Sequence, residues 1–323
     1  MVRNISAHLH KLVALTLVAG LCVVSAFAFA DDADNSIYQS TNSDATVVAI
    51  ANVNPVLKPD AKLAALFENG RNDYLDKNYA SALKWLHKAA DDGFAPAQTM
   101  IGNMYANGFG VDASDAAALS WFSKAAAQGN ADAEVSLGVF YTEGRGVERD
   151  YKVATDWFRR AAEQGNAAAQ SNLGLIYQEG RGVDAAPEAA AEWFRSAALQ
   201  NEPLAQASLG EMFRDGEGVE RDDIEGAWWM RKSAEQGNAD AQAKLGVMYL
   251  EGRGVHQNDT EALQWFRQAA ALGSALGQYY LGVSYAEGKG ISKNRAEATK
   301  WLASSAKLGY APAQEYIQQE NAQ

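Results

Sequence analysis

Residues 131–166 read ADAEVSLGVFYTEGRGVERDYKVATDWFRRAAEQGN, and the same pattern recurs five more times at an unbroken spacing of 36 residues. Every copy has a glycine at the place of Gly138, an aromatic residue at the place of Tyr141 and a tryptophan at the place of Trp157. A fixed period of this length is typical of a solenoid, in which one supersecondary unit stacks on copies of itself. Solenoids present long surfaces and usually bind partners, so the repeat itself favours an interaction protein over an enzyme.

Each copy predicts two helices joined by a loop. Ala133, Leu137 and Tyr141 recur at i, i+4 and i+8, which places them on one face of a first helix, and Gly144 is expected to end it. Asp150 stands where the N-cap of a second helix should be. An interior helix glycine costs about 1 kcal/mol relative to alanine. We therefore expect Gly138 to lie at a close helix crossing, opposite Ala154 of the second helix. The sequence predicts an all-α fold of stacked helix pairs.

The N-terminal segment has the features of a secretory signal. Arg3 and Lys11 carry positive charge, residues 12–30 are uncharged, and Ala28-Phe29-Ala30 forms a small-x-small cleavage site. We expect an exported protein, periplasmic or secreted and bacterial; an uncleaved membrane anchor is the alternative. The only cysteine, Cys22, lies in this segment. The net charge of −12 argues against binding to nucleic acid or to anionic lipid.

The repeat register divides the chain into five predicted segments. They are a signal peptide (1–30), a flexible acidic linker (31–58), a divergent tetratricopeptide-like first repeat (59–94), six 36-residue repeats (95–310) and a C-terminal capping helix (311–323). The apolar run at 46–52 either forms a strand or docks on the first repeat. The polar ending at 318–323 suits a cap, because the outer face of a terminal repeat meets water.

The string Ala-x-Ala-Gln-x-x-Leu-Gly-x-x-Tyr-x-x-Gly-x-Gly-Val, followed by Ala-x-x-Trp-Phe-x-x-Ala-Ala-x-Gln-Gly, resembles the Sel-one-like repeat, a relative of the tetratricopeptide repeat. The copies at 131–166 and 239–274 carry it best. The resemblance implies a right-handed superhelix of antiparallel helix pairs. It also implies scaffold, adaptor, cell-envelope or host-facing roles. It transfers no ligand, because the signature is structural.

The chemical motifs in the chain lack their usual context. Gly108-x-Gly110 matches part of a dinucleotide fingerprint but follows a helix instead of a strand. Ser81-x-x-Lys84 has no Ser-Asp-Asn or Lys-Thr-Gly element beside it. We therefore predict no enzyme activity, no cofactor and no metal. A cell-envelope enzyme, such as a peptidoglycan or β-lactam hydrolase, and a self-assembling envelope protein remain the alternatives.

The resemblance places the first helices on the concave side, which makes their off-core positions the candidate binding surface. The predicted partner-binding residues are Val135, Val139, Leu175, Glu211, Arg214, Val247, Leu250, Tyr279 and Val283, with Trp228 as an outward-facing aromatic on a second helix. A line of mostly acidic residues borders them: Asn107, Glu143, Glu179, Asp215, Glu251 and Glu287. One interpretation is an apolar-floored, acid-edged groove for an extended or helical peptide with basic residues. The other is that the aliphatic side chains contact the adjacent unit while loop bases (Arg145, Arg181, Arg253 and Lys289) balance the acids.

Overall fold

The computed structural model describes residues 60–322, and within them the chain forms fifteen α-helices and no strand. The helices are α1 (Ala61–Leu75), α2 (Tyr79–Asp91), α3 (Ala95–Asn107), α4 (Asp115–Ala126), α5 (Ala131–Glu143), α6 (Tyr151–Glu163), α7 (Ala167–Glu179), α8 (Pro187–Leu199), α9 (Pro203–Asp215), α10 (Asp223–Glu235), α11 (Ala239–Glu251), α12 (Asp259–Ala271), α13 (Ala275–Glu287), α14 (Arg295–Lys307) and α15 (Ala311–Ala322). The predicted all-α repeat solenoid is confirmed. The predicted signal peptide and acidic linker lie outside the described residues.

The helix ends follow from local chemistry. Gly144 ends α5 with a φ of 73°, a left-handed conformation that glycine adopts without steric cost. Asp150 caps α6 by accepting hydrogen bonds from the backbone N–H groups of Lys152 and Val153, at 2.9 and 3.1 Å. Asn201 takes a φ of 63° where the other units have glycine, a conformation that asparagine tolerates.

The glycine inside each first helix makes room for a large side chain of the second helix. A Cβ on Gly138 would lie 2.6 Å from the ring of Phe158, and Phe122, Phe194 and Phe266 face the equivalent glycines in the same way. The atoms nearest to a Cβ on Gly138 thus belong to Phe158 and not to Ala154, the residue expected opposite it. The glycine lets the Phe158 ring be almost fully buried, which offsets its helix-propensity cost.

The unit at 203–238 departs from this pattern. Met230 replaces the phenylalanine and Gly226 lies opposite Gly210, so that a Cβ on Gly210 would lie 2.9 Å from the Gly226 carbonyl oxygen. The backbones of α9 and α10 therefore approach each other directly, with no ring between them.

The hydrophobic core continues from unit to unit. One cluster joins Ala154, Phe158 and Ala161 of α6 to Leu173 and Ile176 of α7, which belongs to the next unit. The other units repeat this arrangement, so each second helix is buried between its own first helix and the following one. Because the described residues contain no cysteine, the stack is held by packing and polar contacts.

Buried glutamines link neighbouring units. The Gln170 side chain donates a hydrogen bond from Nε2 to the carbonyl of Ala162 at 3.3 Å, and its Oε1 accepts one from Gln200 Nε2 at 2.8 Å. We call this arrangement the glutamine ladder; it comprises the pairs Gln98–Gln128, Gln170–Gln200 and Gln206–Gln236. Each pair lies within one unit, 30 residues apart, and its accepting glutamine donates in turn to a backbone carbonyl of the preceding unit, that of Ala90, Ala162 or Ala198.

Two consecutive units lack the donor of the ladder. Leu272 and Leu308 stand where the other units have the donating glutamine, and both leucines are more than half exposed. The Oε1 atoms of Gln242 and Gln278 are consequently buried without a hydrogen-bond partner among the described residues. These two acceptors are a local source of instability.

In the unit at 131–166, Glu134 replaces the accepting glutamine. Its carboxylate is buried, accepts a hydrogen bond from Gln164 Nε2 at 2.7 Å and lies 2.7 Å from Arg160 Nη2. Arg160 also donates to the carbonyl oxygen of Ala126 at 3.4 Å. The accepting glutamine makes the equivalent bond in other units, as Gln170 does to Ala162, but a glutamate side chain has no N–H group to donate. Burial raises the pKa of Glu134, although the positive charge of Arg160 acts in the opposite direction.

The first helices form the inner side of the stack. Helix α7 contacts α9 and α11 contacts α13, so first helices of consecutive units touch one another directly. In a curved array, the row whose members come closest lies on the concave side. The second helices accordingly form the outer side. Within residues 60–322, no helix combines the length and the apolar character needed to cross a membrane.

Candidate partner-binding surface

The predicted aliphatic residues lie at the boundaries between units. Val135 and Val139 pack against the cluster formed by α6 and α7, and Leu175 packs against the cluster formed by α8 and α9. Val247 and Leu250 pack in the same way against the cluster formed by α12 and α13. All five are partly exposed, so they join adjacent units and still form part of the inner surface.

Equivalent positions of successive repeats form rows along this surface, and these rows differ in exposure. Most members of the row that contains Val139 and Leu175 are partly exposed. Val283 is only 8% exposed, which leaves little of its side chain for a partner. In the row that contains Val135 and Tyr279, the other members are buried: Thr99, Ser171, Ala207 and Ala243. Thr99 shows why, since its hydroxyl donates at 3.0 Å to Oδ1 of Asn130, the residue that caps α5 of the next unit.

The two predicted charged residues are engaged within the stack. Glu211 forms an ion pair with Lys244 of the next unit. Arg214 donates two hydrogen bonds to Asp215, at 2.8 and 2.7 Å, and this pairing holds the pKa of Asp215 below its usual range. Both ion pairs are partly exposed, so a partner could replace either of them at small cost.

The acidic line is only partly neutralised. Arg181 pairs with Glu179, and Lys289 pairs with Glu287 at 2.7 Å, as one interpretation of the sequence expected. Among the described residues, no ion pair joins Glu143 or Glu251 to a base. Burial raises the pKa of Glu143, against the opposing charge of nearby Arg145.

Arg145 and Arg253 have a different role from the one expected. Arg145 Nη2 lies 2.6 Å from Asp115 Oδ1 and 2.9 Å from the carbonyl oxygen of Ala106, both in the preceding unit. Arg253 repeats the contact with Asp223 at 3.0 Å. These two arginines fasten consecutive units together, and they leave part of the acidic line free.

Trp228 lies away from the other predicted residues. It is 48% exposed on α10, on the outer side of the stack, and its ring meets the ring of Trp229 edge to face at 4.4 Å. Ile224, one turn earlier, is 72% exposed, and Lys232 Nζ lies 5.4 Å from the Trp228 ring centroid. The structure therefore separates a small outer apolar patch from the inner surface.

The sequence pattern pointed to Tyr279 but not to Tyr280 and Tyr310, which lie beside it in the last repeat. The Tyr279 ring lies 5.1 Å from the ring of Tyr280 and 5.3 Å from that of Tyr310, and Tyr280 stacks on Phe266 at 5.1 Å. Burial raises the pKa of Tyr310 to about 12. The available signal was that these tyrosines replace small or polar residues of the preceding unit: Ala243, Lys244 and Ser274.

The described residues show no arrangement typical of catalysis or metal binding. Within 60–322, no three His, Cys, Asp or Glu residues lie close enough to hold a metal ion. The ring of His87 packs edge to face against Trp121 at 5.5 Å, and His256 is exposed in a loop. The Ser81 hydroxyl donates to Asp73 Oδ2 at 2.5 Å.

Comparison with known proteins agrees with this architecture. The sequence model of the Sel1 repeat matches seven consecutive segments, 61–94, 95–130, 131–166, 167–202, 203–238, 239–274 and 275–310. The chain belongs to the Sel1 repeat family. The resemblance to the Sel-one-like repeat is therefore confirmed, and the match includes the first, divergent unit.

Two solved Sel1 repeat structures are similar to this chain. One is c5321, described as a protective antigen present in uropathogenic Escherichia coli strains; it is 38% identical, with a TM-score of 0.66 over 78% of this chain. The chain spans 55% of the length of that antigen. The other is a Sel1 repeat protein from Oxalobacter formigenes, 32% identical with a TM-score of 0.71, and the match covers 75% of this chain and 99% of that one. No curated protein matches the chain.

Proposed function

We propose that this Sel1 repeat protein is an exported, non-enzymatic scaffold that binds a partner protein or peptide on its inner surface. Sel1 repeat proteins are typically protein–protein interaction scaffolds. The observation that carries the proposal is the composition of the inner surface, where partly exposed aliphatic residues run beside carboxylates that the stack only partly neutralises.

Binding would depend on similar contacts that recur along the first helices. Leu175 and Val247 offer apolar contacts two units apart, and Glu179 and Glu251 stand at the same edge with exposed side chains. A peptide laid along the first helices would meet this pattern in more than one unit. Modest contacts in several units then add up, as in other repeat arrays with extended concave surfaces.

Export is supported by the sequence of residues 1–30 and by one relative. A protective antigen must be reachable by the immune system, and the Escherichia coli relative is described as such an antigen. Mass spectrometry of the protein from its native source tests this part. We expect a mature chain that begins at Asp31; a full-length chain in the cytosol would contradict export.

A pulldown from the native envelope fraction tests the scaffold function. The bait proteins are the wild type, the inner variant Val139→Glu/Leu175→Glu and the outer control Gln264→Glu/Gln268→Glu, each checked for helicity by circular dichroism. We expect the wild type and the outer control to capture the same partner and the folded inner variant to lose it. A partner retained by the inner variant would place binding elsewhere. Growth of the particle with concentration in light scattering, without any partner, would favour self-assembly instead.

A further inference from the structure

The last repeat and the C-terminal capping helix together carry a cluster of four tyrosines that the fold itself does not require. Tyr279 and Tyr280 lie on α13, Tyr310 precedes α15, and Tyr316 lies on α15. We call these four residues the tyrosine cluster. The preceding unit has Ala243 and Ser274 at the positions of Tyr279 and Tyr310, so packing alone does not demand aromatic rings there.

The rings of Tyr279, Tyr280 and Tyr310 form one connected aromatic surface that is partly open to solvent, and Tyr316 lies close enough to Tyr279 to feel its charge. Tyr279 contacts Tyr280 and Tyr310 at 5.1 and 5.3 Å between ring centroids, and the Tyr280 ring stacks on the ring of Phe266. All four tyrosines are partly exposed. The surface is therefore both rigidly supported and reachable.

Carboxylates border this aromatic surface. Glu287 lies on the same face of α13 as Tyr279, two turns further on, and Glu315 lies on α15. Both carboxylates are exposed and close enough to Tyr279 for their negative charges to raise its pKa, in addition to the larger effect of burial. Lys289 pairs with Glu287, but among the described residues no base forms an ion pair with Glu315.

Elsewhere the protein covers its aromatic rings with its own cations. Lys88, Lys124 and Arg160 lie over the rings of tryptophans on their own helices, with the charge 4.4, 4.0 and 4.6 Å from the ring centroid. Within the described part of the chain, no lysine or arginine lies over a ring of the tyrosine cluster. Its rings and carboxylates thus offer to an outside group the environment that a cation prefers.

We propose that the tyrosine cluster, together with Glu287 and Glu315, binds a lysine or arginine side chain of a partner peptide at the C-terminal end of the inner surface. This proposal rests on the proposed function, and it identifies the chemistry of the partner: a basic segment. The rings attract the cation through their π-faces while the carboxylates supply opposite charge, and the apolar stem of the basic side chain lies against the tyrosines.

Fluorescence anisotropy with a fluorescein-labelled (Lys-Gly)5 peptide tests the proposal on the mature chain. Matching peptides with arginine or glutamine in place of lysine serve as further probes. The ring variant is Tyr279→Ala/Tyr310→Ser, which restores residue types of the preceding unit. The charge variant is Glu287→Gln/Glu315→Gln, and its control is Glu188→Gln/Glu192→Gln, the same change of charge on the outer side of α8.

We expect both basic peptides to bind and the glutamine peptide not to bind. The ring and charge variants should each lose about fivefold to tenfold in affinity, whereas the α8 control should change by less than about twofold. Equal losses of affinity in the charge variant and in the α8 control, with no loss in the ring variant, would show that net charge alone drives binding. That result would overturn the proposal. Absence of binding by the wild type would overturn it as well. Should the pulldown partner still depend on Val139 and Leu175, the scaffold function would stand while this inference fails.

Discussion

Replacing Leu272 with glutamine should stabilise the stack, because it supplies the hydrogen-bond donor that Gln242 lacks. In the preceding unit the corresponding donor is Gln236, whose Nε2 lies 2.7 Å from Gln206 Oε1. A buried acceptor without a partner costs about 1–3 kcal/mol. Leu272 is 58% exposed, so its removal sacrifices little apolar burial. After allowance for ordering the new side chain, we expect a gain of about 1 kcal/mol in the free energy of unfolding.

Urea denaturation followed by circular dichroism measures this gain. The midpoint should rise at unchanged slope, and Tm should increase by about 2–4 °C if the array unfolds as one cooperative unit. Leu199→Gln is the matched control, since Leu199 is 70% exposed and the adjacent Gln200 already donates to Gln170. If Leu272→Gln is no more stable than Leu199→Gln, the glutamine ladder is not a source of stability and the reasoning fails.

Three further substitutions test other contacts of the stack by the same assay. Glu134→Gln should raise stability at pH 7 by about 1 kcal/mol. Burial raises the folded-state pKa of Glu134 above the ordinary value of 4.5, so its ionisation destabilises the fold. The gain should therefore shrink as pH falls through the raised pKa and be absent below about pH 4.5; a gain independent of pH would contradict this. Gly138→Ala should cost about 1–3 kcal/mol through the clash with Phe158, and a neutral effect would show that the ring has room to move. Arg145→Ala should cost about 1–2 kcal/mol because it breaks contacts between units, whereas Arg181→Ala, which removes an exposed pair within one unit, should cost less than about 0.5 kcal/mol; equal losses would refute the distinction.

The periodic sequence predicts most of the fold because its signals are local. Glycines with positive φ, such as Gly144, and N-caps, such as Asp150, act within a few residues of themselves, so a single copy of the repeat displays them. The choice between Ala154 and Phe158 opposite Gly138 was different. Both residues lie on the inward face of the second helix, and only the crossing of the two helices decides which one meets the glycine.

The candidate surface was less predictable because its residues interact across units. Arg145 reaches Asp115, 30 residues away, although an acidic residue lay much closer in the sequence. Val283 is almost fully buried, which the pattern of α13 alone could not show. Tyr310 meets Tyr279 only in the folded stack, because the two residues are 31 positions apart in the sequence.

Site-specific photo-crosslinking tests the central claim most directly, namely that the inner surface holds the partner. A photoreactive phenylalanine analogue at Glu251, an exposed residue at the edge of the inner surface, is compared with the same analogue at Gln264, an exposed residue on the outer side of α12. Neither substitution disturbs a buried contact. The account predicts a covalent adduct with the partner protein from position 251 and none from position 264. An adduct from position 264 alone would contradict it.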